Sequence, residues 1–293
     1  MQKKFQHFQQ KTMKKLRPLL DFMDAMNQKS ISIIAAGIAY YTLLAVFPAM
    51  AAGMAVALFV LEPAQVQAIM RDVSAFIPRE IASLLSTILS RQAGETSNLW
   101  AAALGIGFAL FGASGAMDSM TKALNAVFDT KETRNVVELK LLSVAFTIGA
   151  IVLAAVVAVL LILTIDQLTA WGLPGWLAIG IAVMRWIVAI VVILTALSLL
   201  FRYAVNQTNP AWRFVTPGVL SATGLWLLVT VVFVVYLKVS PNLAQSYSIF
   251  AGIIALMMWF NLTATAILVG ALVDARRQKS KQRSGVFAAL FRS

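Results

Sequence analysis

From Ile31 to Leu61 the chain carries no charged side chain. At 1.5 Å per residue, about 20 residues already cross a hydrocarbon core of about 30 Å, so the stretch is about ten residues longer than one crossing needs. It also holds Pro48, the adjacent Tyr40 and Tyr41, and a high density of Ala and Gly. A helix that only faces lipid has no need of those features, whereas small residues let two helix backbones approach closely. The stretch reads as the centre of a membrane bundle, with its small residues turned toward a neighbouring helix.

Composition supports that class. The chain is 60% hydrophobic and only 12% charged, against about 25% charged for an ordinary soluble domain, and its mean hydropathy is +0.83. Such a chain could not cover its surface in water. The absence of Cys excludes disulfides, thiolate zinc sites and a Cys nucleophile, and the single histidine, His7, lies in the polar N-terminal segment. A net charge of +12 would suggest nucleic acid in a soluble protein. Here seven of the 24 basic residues lie before residue 30 and six lie after residue 275, flanking the apolar core. That is the pattern of cytoplasmic ends held by the positive-inside rule and by anionic lipid. Membrane lipid, through anionic headgroups at the basic tails, is the expected partner, and nucleic acid is not.

Five more apolar stretches follow, over residues 98–117, 141–165, 177–201, 214–237 and 248–273. The second span carries Gly105, Gly107, Gly112 and Gly115 and is expected in the interior. The third is nearly all β-branched and Leu, which suits a lipid-facing helix. Lys plus Arg, counted along tail, loops and tail with Arg185 left out, run seven, three, four, none, two, one and six. Larger and smaller counts alternate at every step. An all-α, polytopic membrane protein of six spans with both termini cytoplasmic satisfies them all. Its single transmembrane domain occupies residues 30–275, between basic cytoplasmic tails at 1–29 and 276–293.

Two segments outside the spans are amphipathic. In the N-terminal tail, Leu16, Leu19, Leu20, Met23 and Met26 recur at helical spacing and predict a short helix on the inner membrane surface. The apolar stretch that follows is too long for a cleaved signal peptide. Between the first two spans, Val66, Ile69, Val73 and Phe76, then Ile81, Leu84, Leu85 and Ile88, flank Pro78. They read either as two amphipathic helices over the outer mouth or as a solvated hairpin. Trp171, Trp176, Trp186 and Trp212 fall near the expected interfaces.

Few polar groups lie within the spans. Arg185, inside the fourth, either pairs with Asp166 at the start of the outer loop before it or snorkels to the interface. Asn261, at the centre of the sixth, needs a partner on another helix or a water-filled path. Pro48 deprives a carbonyl near residue 44 of its donor, which makes a hinge, a substrate-coordinating break or a static kink. For catalysis the inventory is poor. There is no HExxH, no pair of carboxylates within a span, no phosphate-cradling Gly loop, and no His available as a base. No catalytic residue, metal ligand or cofactor is expected, and the chain does not read as an enzyme.

Taken together, several motifs resemble the YihY/BrkB family of bacterial inner-membrane proteins, once labelled ribonuclease BN. The first span carries Ala35, Ala36, Ala39, Tyr40, Tyr41, Leu44, Phe47 and Pro48, and the second Gly112, Ala113, Ser114, Gly115, Met117 and Asp118, then Ala123, Leu124, Asn125 and Arg134. Pro217 and Gly218 enter the fifth, which ends at Tyr236. The sixth opens with Tyr247, Ser248 and Phe250, passes Trp259 and closes with Gly270, Ala271 and Asp274. The likeness covers residues 20 to 275. The family commonly has Gly-Ala-Glu where this chain has Gly270, Ala271, Leu272, so that carboxylate has no counterpart here unless Asp274 supplies it.

The resemblance implies a multi-pass protein of the bacterial inner membrane, transporting a small solute or lipid-like molecule across or within the membrane. The expected path lies between the first, second and sixth spans, lined by Tyr40, Tyr41, Pro48, Asp118, Asn125 and Asn261, with a basic rim that favours anionic or headgroup substrates. The alternative is a scaffold that organises a cell-envelope complex through the outer helices. A homo-oligomer is compatible with either. The ribonuclease label fits poorly: Asp118, Asp129, Glu132 and Glu138 are interleaved with Lys and Arg, and ion pairs along a helix explain them more simply.

Overall fold

The computed structural model of the chain describes residues 17, 20–60, 99–162, 168–169, 172–207, 215–239 and 248–290. Six long helices follow one another: α1 (Ile31–Val60), α2 (Leu99–Phe128), α3 (Val136–Ile162), α4 (Gly175–Tyr203), α5 (Pro217–Val239) and α6 (Ser248–Leu290). Each is long and apolar enough to cross a membrane. No strand occurs among the described residues, and residues 20–28 form a short helix ahead of α1. The amphipathic pair expected between the first two spans lies outside the described residues, as do Asp166, Trp171 and Trp212.

The closest packing is between α1 and α2, and small residues make it so. A Cβ added to Gly112 would stand 3.0 Å from the backbone of Ala45, and one on Gly115 would stand 3.0 Å from the Tyr41 ring. Absence of side chains at these two positions therefore sets the interhelix distance. The first half of α2 departs from the expectation of an interior helix. Nothing lies within 4 Å of a Cβ on Gly107, and Leu104, Phe108 and Phe111 are exposed. The helix is interior only along the face and length that meet α1. α6 packs on both α5 and α1, and also on α2. The three spans expected to border a path thus touch one another. α3 and α4 sit outside, with Ile148, Ile151 and Val152 and then Ile179, Val183 and Trp186 exposed to what would be lipid.

Helices outrun the apolar stretches that predict them. α2 continues through Asp118, Lys122 and Asn125 to Phe128, α3 begins at Val136, and α6 runs 43 residues to Leu290. At 1.5 Å per residue α6 is about 65 Å long, twice a hydrocarbon core. Hydropathy marks where a helix meets lipid. Where it stops is decided by backbone turns and caps, and for α2 that stop comes only at Asp129, whose backbone is left-handed. The extensions pack together. Ile31, Ala35, Leu124, Val127, Leu200, Phe201, Val219, Leu268 and Leu272 form a buried cluster, with Phe22, Ala25 and Met26 of the short first helix against it. This end, which carries Lys29, Arg134 and Arg276, is called the basic end below.

Candidate functional site

At the basic end the chain solves a set of helix-end problems with charged groups. α2 terminates at Asp129, whose φ of 54° is left-handed. The Thr130 N–H donates to the Asn125 carbonyl (3.0 Å) and the Asp129 N–H to that of Ala126 (3.4 Å), satisfying the last carbonyls of the helix. The Asp129 carboxylate projects between two termini of the bundle. It accepts from Lys29, just before α1, and from Lys279, on the extension of α6. These two ammonium groups, Lys279 first, hold the Asp129 carboxyl below its ordinary value of 3.8.

The loop from Asp129 to α3 is clamped to the end of α4. Arg134 donates to the carbonyl oxygens of Tyr203 (3.1 Å) and Ala204 (2.8 Å), a cation on the negative pole of α4. Glu132 holds the guanidinium in place through Nε and Nη2 at 2.7 and 2.8 Å, and that pairing lowers the Glu132 carboxyl from 4.5. Asn125, only 4% exposed, stands at the centre. Its Nδ2 donates to Glu132 (2.6 Å) and its Oδ1 accepts from the backbone of Asn206 (2.8 Å) and the hydroxyl of Thr130 (3.1 Å). At the start of α3, Asn135 Oδ1 accepts the Glu138 N–H at 2.8 Å while Glu138 reaches back to the Asn135 N–H at 3.3 Å, a reciprocal cap. Of the four acidic residues expected to form ion pairs along a helix, only Asp118 does so, with Lys122 at 2.7 Å. The others cap helix ends or bridge helices.

A second polar node joins α5 to α6. Asp274 Oδ1 accepts the Gly218 N–H at 2.7 Å, and Oδ2 accepts the Thr216 hydroxyl. Thr216 Oγ1 in turn accepts the Val219 N–H at 3.1 Å, and the Thr216 carbonyl accepts the Leu220 N–H at 3.0 Å. Pro217 has no N–H, so each amide of the first turn of α5 is accounted for. The carboxylate also faces the positive pole of that helix. Only glycine fits at the crossing. A Cβ on Gly218 would run into the Asp274 carboxyl and the Gly270 carbonyl, and one on Gly270 would stand 2.5 Å from Ala222 Cβ. The node was legible as a Pro-Gly, a Gly-Ala and a lone Asp. Its geometry was not, because the partners lie 58 residues apart.

The six residues predicted to line a path are spread along α1, α2 and α6. Tyr40 and Tyr41 are half exposed on α1, their rings 5.6 Å apart. Pro48 lies within α1, which continues as one helix on both sides of it. Asp118 pairs with Lys122, and Asn125 is enclosed in the loop clamp. Asn261 is half buried on α6, and its carbonyl accepts the Thr265 hydroxyl at 2.8 Å. Two residues earlier on α6 the Trp259 indole donates to Thr230 of α5 at 3.4 Å. Beside Asn261, Thr263 Oγ1 is buried with no hydrogen-bond partner among the described residues, and Thr121 Oγ1 of α2 is in the same position. Arg185 lies over the Trp186 ring at 5.5 Å, and Thr195 bonds the Val191 carbonyl of its own helix at 2.7 Å. Among the described residues no group of three His, Cys, Asp or Glu is placed to hold a metal ion.

Comparison with known proteins places these features in context. A family model described as virulence factor BrkB matches residues 22–289. A Bacillus subtilis (strain 168) protein, YfkH, whose name describes it as ribonuclease-like, is 30% identical over 252 residues, covering 84% of this chain and 90% of its own length. No solved structure gives a significant match.

Proposed function

The chain belongs to the BrkB family, and on that premise we propose that it is a transport protein of the bacterial inner membrane, moving a small solute or lipid-like molecule between α1, α2 and α6. In this reading the basic end is cytoplasmic, which the distribution of Lys and Arg supports. The observation that carries the proposal is a buried hydroxyl, that of Thr263, within the membrane stretch of α6. Thr263 Oγ1 is buried there without a partner among the described residues. A serine or threonine hydroxyl in a helix ordinarily bonds the carbonyl a turn back, as Thr265 does. Leaving one buried and unmatched costs about 1–3 kcal/mol, a cost that a passing polar group would offset.

A ribonuclease-like name belongs to the relative. In this chain Asp118, Asp129, Glu132, Glu138 and Asp274 are each engaged in caps or ion pairs that hold helices together. We place them in the framework and give them no part in chemistry.

The test uses purified full-length chain in proteoliposomes, with fluorescent phosphatidylglycerol and a panel of radiolabelled anionic solutes as probes. Flux of at least one probe above empty vesicles is expected, with Asn261→Leu and Thr263→Val each lowering it at least tenfold. Unchanged flux in both variants would overturn the path. No flux of any probe, together with RNA cleavage by the same preparation, would overturn the transport reading itself.

A further inference from the structure

Lys140 stands apart from the polar groups above. It lies one turn inside α3, and its ammonium donates to Ser114 Oγ of α2 at 2.7 Å, while Ser114 is only 2% exposed and passes its own proton to the Phe111 carbonyl at 3.0 Å. The ammonium also lies 6.0 Å from the centre of the Phe111 ring. Among the described residues no carboxylate pairs with it. An ammonium has three donors, and the serine takes one.

The depth of this group matters. Ser114 is about 21 Å along the α2 axis from Phe128, at 1.5 Å per residue. The clamp at Asp129 therefore stands well beyond it. On the far side of Lys140 the surface becomes apolar at once. Phe108 and Phe111 form an exposed stripe on α2, and Leu141 and Ile148 an exposed stripe on α3. The charge is thus fixed where hydrocarbon gives way to headgroups. An unneutralised cation at that level draws a lipid phosphate.

We propose that Lys140, anchored by Ser114, seats the phosphate of one anionic phospholipid, whose acyl chains lie along the two apolar stripes of α2 and α3. The site is separate from the proposed path, which lies on the α1 and α6 side of α2, and it stands whether or not the chain transports anything. A zwitterionic lipid presents the same phosphate with a choline that this site gives no carboxylate to meet, so selectivity for phosphatidylglycerol follows.

Native mass spectrometry of the full chain, titrated with phosphatidylglycerol or phosphatidylcholine, reads the site directly. Phosphatidylglycerol is expected to bind the more tightly, and Lys140→Gln to weaken it about fivefold, corresponding to ~1 kcal/mol for one cation at a membrane surface. Lys140→Arg, which keeps the charge, and Lys122→Gln, about 12 Å further along α2 than Ser114, are expected to bind as the parent does. Equal binding by Lys140→Gln would overturn the proposal, as would loss of binding in Lys140→Arg with an unchanged melting curve. Displacement of the lipid by inorganic phosphate would overturn it in favour of a free-anion site.

Discussion

Replacing Gly270 by Ala tests whether the α5–α6 crossing is held by contact between backbones. The added Cβ would stand 2.5 Å from both Ala222 Cβ and the Gly218 carbonyl oxygen, whereas ordinary contact begins at 3.4 Å. The two helices must part by about 0.9 Å in a close-packed interior. Overpacking of this kind costs about 1–3 kcal/mol. The movement also stretches the bond from the Gly218 N–H to Asp274, now 2.7 Å, and a hydrogen bond to a charged group is worth about 1.5–3 kcal/mol. Partial loss of the second on top of the first puts the destabilisation at about 2–5 kcal/mol. Denaturation in mixed micelles, followed by circular dichroism, reads that loss. The double variant Gly270→Ala with Ala222→Gly sharpens the reasoning. It removes one of three close approaches and leaves two with backbone, the Gly218 carbonyl oxygen at 2.5 Å and the Ala222 nitrogen at 2.9 Å, so it should recover only part of the stability. A single variant as stable as the parent would refute the close-crossing account. Full recovery in the double variant would show that the backbone contact contributes nothing.

Two further outcomes follow from the basic end. Asp129→Asn keeps a residue tolerant of the left-handed turn and removes the charge that Lys279 and Lys29 share. Because the carboxyl is about half exposed, the loss is expected below ~1 kcal/mol and to shrink at high salt. The folded carboxyl titrates below its unfolded value near 3.8, so its contribution is complete above that pH and fades as pH falls through the lowered value. A parent–variant difference that persisted unchanged at pH 2 would refute the bridge. Arg134→Lys cannot reach Glu132 and two carbonyls of α4 at once, and it is expected to lower stability by about 1.5–3 kcal/mol. A variant with the parent's melting curve would mean that the clamp is dispensable.

Much of the framework is legible in the amino-acid order. Apolar runs holding at most one charge locate six membrane helices because burial in lipid tolerates little else, and Gly112 and Gly115 announce the face on which α1 packs. Helix ends are read less well. Asp118 and Asn125 look like loop residues because charge returns there, yet charge signals departure from lipid and leaves the helix free to continue. The amino-acid order offers Asn125 as a path-lining residue, while in the structure its side chain binds Glu132, Asn206 and Thr130. Its neighbours in space, Glu132 and Asn206, lie beyond the turn and past the end of α4, so no local spacing reveals how its amide is engaged. Asp274 shows the opposite case. Its place near the end of the last span is plain in the sequence, but the N–H and hydroxyl it serves belong to Gly218 and Thr216, at and just before the start of α5. Lys140 reads as one more basic residue in a loop, and only its reach across to a buried serine sets it apart.

The bridge at Asp129 also bears on how the protein is made. Its two lysines lie 100 residues before it and 150 residues after it, and Arg276 reaches back across 255 residues to the Asp21 carbonyl. A chain inserted from the N-terminus can pair α1 with α2 through Gly112 and Gly115 early in synthesis, with Lys29 already at hand for Asp129. The bond that ties the first helix of the tail to the last helix of the chain can form only once α6 has been made. Closure of the basic end therefore waits for α6, and a chain halted before Arg276 would lack this hold on its N-terminal segment.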